Sequence, residues 1–214
     1  MKEEIIALEK DFKNNEYFGT NVWTEEKYRV LSGNYPVLIS APHSVNQFRG
    51  DDVRDAEKFT GALARYLSNA CGTYSIFQIF THADPNNDEE HNYKNAVANL
   101  LETYNIKLML DIHSSTFKDD TDIDIVTNMR ESLCGQNAII EKFKIIANMN
   151  GVTVDEKNVP NMNSSSEIIS VSSFICGIPA MRLVFNNKKL DINNEEKLNA
   201  IIKTLEEFLK VLNY

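Results

Sequence analysis

Two of the four histidines in this sequence come directly after strand-like runs of apolar residues. His43 ends the stretch "LISAPH" and His113 ends the stretch "LMLDIH". In open α/β sheets, ligands bind at the edge where the carboxyl ends of the strands meet. We therefore expect the two imidazoles to lie together at that edge, where they could bind a metal ion.

A carboxylate near these histidines would complete a hydrolytic zinc site, which typically has three protein ligands and an open fourth position for water. Glu57 in "RDAEKFTG" stands where a helix begins after the loop of His43. A helix that returns over the same sheet edge can bring Glu57 back to His43, and Asp55 is the nearest competing ligand. The alternative for Glu57 is a simpler role, because an acidic residue at a helix start interacts favourably with the helix dipole.

Asp111 lies two residues before His113, in the same strand-like run. Residues two apart on a strand point to one face, so the carboxylate and the imidazole share a side of the sheet. A metal-bound imidazole usually donates its other N–H to a carboxylate that fixes its orientation, which would be the role of Asp111. The alternative is that Asp111 pairs with an arginine or caps a loop, and that His113 is a structural histidine.

Apolar runs alternate with amphipathic stretches along most of the chain, which predicts an α/β sheet flanked by helices. The strand-like runs are "PVLISAP", "TYSIFQIF", "KLMLDIH", "DIDIVTN", "VTVD", "EIISV" and "AMRLVF". The helix-like stretches are "DAEKFTGALARYLSN", "HNYKNAVANLLETYN", "QNAIIEKFKIIANMN", closed by Gly151, and "NEEKLNAIIKTLEEFLKVLN". Because no stretch has the composition of a linker, we expect residues 1–214 to form one domain.

The composition argues against nucleic acid and membranes as partners. The chain has 22 Lys and Arg against 31 Asp and Glu, a net charge of −9 that repels phosphate backbones and anionic lipid surfaces. The sequence lacks both a signal-peptide core and a run of roughly 18 apolar residues that would span a membrane, which predicts a cytoplasmic protein. Its three widely spaced cysteines, Cys71, Cys134 and Cys176, predict reduced thiols rather than disulfides or a CxxC metal knuckle.

Four stretches, in this order, resemble the N-formylglutamate amidohydrolase family and the related zinc-dependent carboxypeptidase-like hydrolases. They are "APHSVNQFRGDDVRDAEKFTGALARYL", "THADPNND", "LMLDIHSS" and "GIPAMRLVFN", within residues 36–187. The resemblance implies a mixed, largely parallel sheet flanked by helices, of the phosphorylase/hydrolase-like, zinc exopeptidase type. It also implies that zinc, or another divalent metal, is held by His43, Glu57 and His113.

The first departure from this family concerns the binding of substrate. Where the family commonly has an Asn-Arg pair for a substrate carboxylate, this chain has Asn86 followed by Asn87. A neutral amide cannot provide the bidentate, charge-assisted clamp of a guanidinium. We therefore expect Asn86 and Ser114 to contact substrate, with the missing positive charge supplied by another arginine. The candidates are Arg49, Arg54 and Arg130.

The second departure concerns the general base. Val184 stands where the family usually offers a glutamate, and a valine can neither accept nor return a proton. Either another carboxylate substitutes or catalysis is weak. Glu167 is the first candidate for this catalytic role, and Asp111 is assigned to orienting His113. The candidates behind Glu167 are Glu89, Glu90 and Asp124.

These residues together predict a zinc-dependent hydrolase of an amide bond in a small N-acyl amino acid or peptide-like substrate. The alternative is a metal- or ligand-binding protein on the same scaffold with weak or lost catalysis. A third possibility is that both histidines are structural. The chain has no GxSxG elbow, no GxGxxG turn and no GxxxxGK[ST] phosphate loop, so the common serine-hydrolase and nucleotide-binding motifs are absent.

Overall fold

A seven-stranded mixed sheet forms the centre of the fold in the computed structural model. The structure describes residues 2–20, 26–86, 92–157, 167–212 and 214. In those ranges the strands are β1 (Tyr28–Leu31), β2 (Tyr35–Ala41), β3 (Gln47–Arg49), β4 (Asp52–Arg54), β5 (Thr73–Gln78), β6 (His82–Ala83), β7 (Leu108–Ser115), β8 (Ile123–Val126), β9 (Val154–Lys157) and β10 (Ala180–Asn186). The helices are α1 (Lys2–Lys13), α2 (Thr60–Cys71), α3 (Asn92–Thr103), α4 (Ala138–Met149), α5 (Ile168–Ser170) and α6 (Glu195–Val211).

The strand order in the large sheet is β1-β5-β2-β7-β10-β8-β9. The four central strands β5, β2, β7 and β10 run parallel, whereas β1 and β8 are antiparallel to their inner neighbours. The expected α/β class with a mixed, largely parallel sheet is therefore confirmed. The carboxyl ends of the four central strands meet at one edge, which is where such sheets bind ligands.

Both faces of the sheet are buried, as is usual for parallel sheets covered by helices. Side chains such as Ile39 and Leu110 face a core formed with α1, α2, α4 and α6. On the other face, Leu38 and Met109 pack with α3 and the helical segment that begins at Ile168. The alternation along β2 and β7 thus gives each face its own hydrophobic cluster.

The stretch "EIISV", expected to be a strand, is helical, and this expectation was wrong. α5 continues into a π-helical turn over Val171–Ile175. Ile168, Ile169 and Val171 are buried at helical spacing, and the Ser173 hydroxyl donates a hydrogen bond of 2.8 Å to the carbonyl of Ile169 four residues earlier. A short run of buried β-branched residues does not by itself distinguish a strand from a buried helix.

Helix α1 packs against α2 at a glycine. A Cβ atom on Gly61 would lie 2.5 Å from Cζ of Phe12 and 2.7 Å from Cβ of Ser44, so only glycine fits this approach without movement. Nearby, Glu9 of α1 accepts a hydrogen bond from the backbone N–H of Phe59, at 2.9 Å. Helix α1 is therefore attached to the loop that carries Glu57.

A small second sheet, in the order β4-β3-β6, lies beside the carboxyl edge of the large sheet. β6 pairs with β3 in parallel, and the next residue, Asp84, donates its N–H to the carbonyl of Phe48 at 3.0 Å. This pairing holds Asp84 in the region of His43. In the described part of the chain, every helix is too short or too polar to cross a membrane.

Candidate metal centre

His43, Glu57 and His113 converge at the carboxyl edge of the large sheet. One potential ligand atom from each lies within 4.8 Å of the others. His43 follows β2, His113 belongs to the end of β7, and Glu57 precedes α2. The Glu57 backbone N–H donates to the carbonyl of His43 at 2.8 Å, which closes the loop between them. The strand-end histidines and the acidic residue at the helix start thus form one cluster.

Glu57 lies between the two imidazoles. Its Oε1 is 2.9 Å from Nδ1 of His43, and its Oε2 is 3.0 Å from Nδ1 of His113. The Ser114 backbone N–H also donates to Oε2, at 3.0 Å. The imidazole side chains are only 6–7% exposed, and their ring centroids are 4.9 Å apart. Each Nδ1 atom therefore faces a different oxygen of the same carboxylate.

Each imidazole is held on its other side by a second, buried carboxylate. Nε2 of His43 is 3.0 Å from Oδ1 of Asp84, and Nε2 of His113 is 2.9 Å from Oδ2 of Asp111. Both aspartates are 0% exposed. A carboxylate that accepts the Nε2–H of a histidine leaves the lone pair of Nδ1 available to a metal. Asp111 therefore lies where an orienting role requires it, and Asp84 has the same geometry at His43.

Electrostatics tie the five side chains together. Burial alone would lower the pKa of His113, but Glu57 and Asp111 more than offset it and raise the pKa to about 9. The pKa of His43 is also raised, because Glu57 and Asp84 outweigh its burial. Burial would raise the pKa of Glu57, yet the charges on His113 and His43 hold it well below its usual range. These charges favour the protonated form of each imidazole and the ionised form of Glu57.

The donor set fits a divalent metal ion such as zinc. Zinc bonds to imidazole and carboxylate at about 2.1 Å, so neighbouring ligand atoms in a tetrahedral site lie roughly 3.4 Å apart. The contacts from Glu57 to the two Nδ1 atoms, 2.9 and 3.0 Å, are hydrogen-bond distances, and the potential ligand atoms all lie within 4.8 Å of one another, so small shifts would bring them to that separation. Two neutral imidazoles, one carboxylate and two orienting carboxylates are the arrangement that zinc enzymes use.

A cleft of about 870 Å³ borders this cluster at Glu57 and Ser114. Its size is typical of a small-molecule site. The cleft is lined by Ile6, Glu9, Lys10, Lys13 and Tyr17, by residues 54–59 and 114–116, and by Asn187 and residues 190–193. A substrate in this cleft would approach the cluster from the side of Glu57.

The residues expected to bind substrate divide into two groups. Arg54 and Ser114 line the cleft, as does Asp55, the competing ligand, which lies outside the cluster. Arg49 and Asn86 instead surround Asp84: the Arg49 guanidinium forms an ion pair with its Oδ2, and the Asn86 backbone N–H donates to its Oδ1 at 2.9 Å. The structure thus places Arg49 and Asn86 beside Asp84, the carboxylate that contacts His43.

Arg130, the remaining arginine candidate, lies elsewhere. It forms a bidentate ion pair with Glu156 and a contact of 2.8 Å with Glu141. It follows β8, which is antiparallel to β10, so it lies towards the opposite edge of the sheet from His113. Arg130 is therefore separate from the metal cluster.

The residues considered for proton transfer are not part of the cluster. Val184 lies directly beside His113 in the parallel β7–β10 register and beside Asp124 in the antiparallel β10–β8 register. Asp124 is thus two strands away from His113, and its Oδ1 lies 3.8 Å from Nζ of Lys157. Three other residues, Asn87, Glu89 and Glu90, lie outside the described residues.

Glu167 forms an ion pair with Arg182, whose Nε donates to Asp111 at 3.2 Å.

Two residues near the cluster were missed in the sequence analysis: Arg182 and Asp84. Each carried a usable signal, since Arg182 interrupts the apolar run "AMRLVF" two residues before Val184, and Asp84 follows the strand-like run "TYSIFQIF". A charged residue at either place needs a partner inside the protein.

The fold and the cluster together define an α/β protein with a candidate two-histidine, one-carboxylate metal centre at the carboxyl edge of its sheet. No family model matches the chain, and no curated protein matches it in sequence.

Solved structures match it over most of its length. N-formylglutamate amidohydrolase from Ralstonia eutropha JMP134 has a TM-score of 0.65 at 12% identity and covers 88% of this chain and 98% of its own. A zinc-free form of YNDL has a TM-score of 0.55 at 15% identity, covering 95% and 96% of the two chains. A bacteriophage poly-gamma-glutamate hydrolase has a TM-score of 0.50 at 12% identity, covering 86% and 89%. These likenesses show that the chain shares the fold of these three proteins.

Proposed function

We propose that this protein is a zinc-dependent amidohydrolase that cleaves an amide bond in a small N-acyl amino acid or peptide-like substrate in the cytoplasm. The observation that carries the proposal is the arrangement of two carboxylate-bound imidazoles around Glu57 at the mouth of a cleft. The similarity in fold to an N-formylglutamate amidohydrolase and a poly-gamma-glutamate hydrolase supports the same class of reaction.

In this proposal His43, Glu57 and His113 hold the metal, and Asp84 and Asp111 keep the Nδ1 atom of each imidazole directed at it. A bound zinc ion would polarise the substrate carbonyl and acidify water. The Ser114 N–H keeps Glu57 in place through Oε2.

The substrate lies in the cleft of about 870 Å³, which receives it on the side of Glu57. Arg54 and the Ser114 side chain contact it there, because both residues line the cleft. Arg49 and Asn86 hold Asp84 in place. Their effect on the substrate is indirect, because Asp84 sets the position of His43 in the metal centre. A small-molecule or peptide-like substrate is the partner that this volume accommodates.

Arg182 pairs with one carboxylate oxygen of Glu167, Oε2. Arg182 donates in turn to Asp111, and Asp111 contacts His113, so Glu167 is linked to the cluster through these two residues. As the general base, Glu167 would accept the proton at its other oxygen, Oε1.

The second candidate function is a metal- or ligand-binding protein with weak or lost catalysis. Val184 favours it, because this residue lies beside His113 on the neighbouring strand and cannot accept a proton. Metal-dependent hydrolysis separates the two candidates, and the substitution Glu167→Gln tests the proposed base. Metal-dependent hydrolysis that needs Glu167 supports the enzyme with this base, whereas a full rate in Glu167→Gln excludes Glu167 as the base.

The first experiment is elemental analysis of protein purified without chelators and without a histidine tag. We expect near-stoichiometric zinc in the wild type and its loss in His113→Ala. The matched control is His82→Ala, because His82 lies in β6 outside the cluster. Retention of zinc in His113→Ala would show that the metal binds elsewhere, and an absence of zinc after reconstitution of the wild type would refute the metal centre.

Hydrolysis is then tested on a panel of N-formyl, N-acetyl and N-succinyl amino acids and short peptides. The released amine is measured with zinc-loaded and chelator-treated protein. Turnover that follows the metal content and disappears in His113→Ala supports the proposed reaction. Zinc binding without turnover across the panel favours the second candidate function.

A further inference from the structure

Arg182 is a buried cation next to the metal centre, and the roles proposed above leave it unused. It lies in β10 directly opposite Asp111 of β7, and its side chain is 12% exposed. Its Nε donates to Oδ2 of Asp111 at 3.2 Å, and its Nη2 pairs with Oε2 of Glu167. A guanidinium buried to this extent needs carboxylate partners, and here one of them is the partner of His113.

These contacts extend through the metal centre as one chain of alternating charges. In order, the members are Glu167, Arg182, Asp111, His113, Glu57, His43, Asp84 and Arg49. With both imidazoles protonated, the chain carries four negative and four positive charges. A divalent metal that replaces one proton on each imidazole keeps the sum at zero, whereas the loss of either arginine leaves an uncompensated negative charge.

We propose that Arg182 is a positioning residue that holds Asp111 in the orientation needed to accept the Nε2–H of His113. This inference rests on the metal centre of the proposed function. It concerns how that centre is built, because Arg182 contacts neither the cluster nor the cleft.

The hydrogen bonds of Asp111 give the physical reason. Its Oδ1 accepts a hydrogen bond of 2.9 Å from the Ser40 hydroxyl, and its Oδ2 is shared between His113 and Arg182. Ser40 thus holds one oxygen, and Arg182 holds the oxygen that the imidazole also contacts. Without Arg182, a buried carboxylate would keep the imidazole as its neighbour but would lose the guanidinium that fixes its rotation.

Glu167 completes the other side of Arg182. It is the outermost of the two carboxylates, with a side chain that is 23% exposed. Arg182 remains attached to Asp111 when this contact is weakened, so the orientation of His113 depends on Arg182 more than on Glu167. Substitution of a partner outside the metal ligands typically weakens metal binding 10–100-fold, and we expect about 10-fold for Arg182 because it acts through Asp111.

The test is a measurement of zinc affinity by competition with a chromophoric chelator, together with the visible spectrum of the cobalt-loaded protein. The variants are Arg182→Gln, Arg182→Lys, Asp111→Asn and the double variant Arg182→Gln/Asp111→Asn. Arg130→Gln is the matched control, because it removes an ion-paired arginine away from the metal centre. Arg182→Met replaces the glutamine variant if that protein does not fold.

We expect Arg182→Gln to bind zinc about 10-fold more weakly and to change the cobalt spectrum, Arg182→Lys to recover part of the affinity, and Arg130→Gln to match the wild type. In the Asp111→Asn background, Arg182→Gln should have no further effect, because its partner is already altered. Wild-type affinity in folded Arg182→Gln, or full additivity in the double variant, would overturn the inference while leaving the metal centre intact. A wild type that binds no metal would instead refute the proposed function, and this inference with it.

Discussion

Binding of zinc to the metal-free protein is expected to release protons from the two imidazoles. Nδ1 of His43 and Nδ1 of His113 each face an oxygen of Glu57 and must lose a proton before they can bind a metal. The aspartate on the far side of each ring keeps Nε2 protonated. Each imidazolium therefore loses one proton, from Nδ1.

The magnitude follows from the raised pKa of His113. With a pKa of about 9, this imidazole carries about 0.97 of a proton at pH 7.5. Two imidazoles with the ordinary pKa of about 6.5 would together carry about 0.2 of a proton at that pH. We therefore expect the release of at least about one proton per zinc at pH 7.5, and His43 adds to this value because its pKa is also raised.

The assay is isothermal titration calorimetry at one pH in buffers that differ in their enthalpy of ionisation. The slope of the observed enthalpy against the buffer enthalpy gives the number of protons released. Asp111→Asn is the matched variant. It removes one of the two carboxylates that raise the pKa of His113, so fewer protons should be released per zinc ion bound. A wild-type value near 0.2 at pH 7.5 would show that the imidazoles have ordinary pKa values, and the electrostatic reasoning would then be wrong.

Three further predictions concern the pH dependence of stability, the contact of Asp84 with His43 and the packing of α1 on α2. The metal-free protein should lose stability between pH 6.5 and 9, because folding raises the pKa of His113 to about 9. Protonation of His113 contributes on the order of 3 kcal/mol to the free energy of unfolding. This contribution is complete below the pKa of the unfolded state, about 6.5, and is lost as the pH rises through the pKa of the folded state. A midpoint of thermal unfolding that rises with pH over this window contradicts it. Asp84→Asn should weaken zinc binding about 10–100-fold, measured by chelator competition, since it alters the orientation of His43; unchanged affinity would show that Asp84 does not orient the ring. Gly61→Ala should lower the free energy of unfolding by about 1–3 kcal/mol in urea denaturation, because its Cβ meets Phe12, and a neutral result would mean that α1 moves freely away from α2.

The sequence predicted the part of the site that depends on strand ends. His43 and His113 follow apolar runs, and the carboxyl ends of parallel strands meet at one edge, so their proximity could be inferred from the order of the elements. Glu57 could be placed because the helix after the His43 loop returns to that edge. The proximity of Asp111 to His113 followed from the period of a strand, which puts both residues on one face.

The parts that were missed depend on long-range pairing. Asp84 reaches His43 because β6 pairs with β3 in a small second sheet, and two- or three-residue strands leave almost no pattern in a sequence. Arg182 reaches Asp111 through the register of β7 and β10, which is fixed only in the folded sheet. The same limit explains the wrong expectation for "EIISV", whose helical form is decided by burial and by the serine hydroxyls.

One wall of the cleft beside the candidate metal centre belongs to parts of the chain that contain none of the proposed ligands. Ile6, Lys10 and Lys13 come from α1, and Ile192 comes from the segment before α6, whereas the resemblance to known hydrolases covers residues 36–187. In the proposed enzyme, substitutions on this wall could therefore change substrate selectivity without replacing a metal ligand. A mutant library confined to these wall positions would search new substrates while every library member retains the same metal-ligating residues.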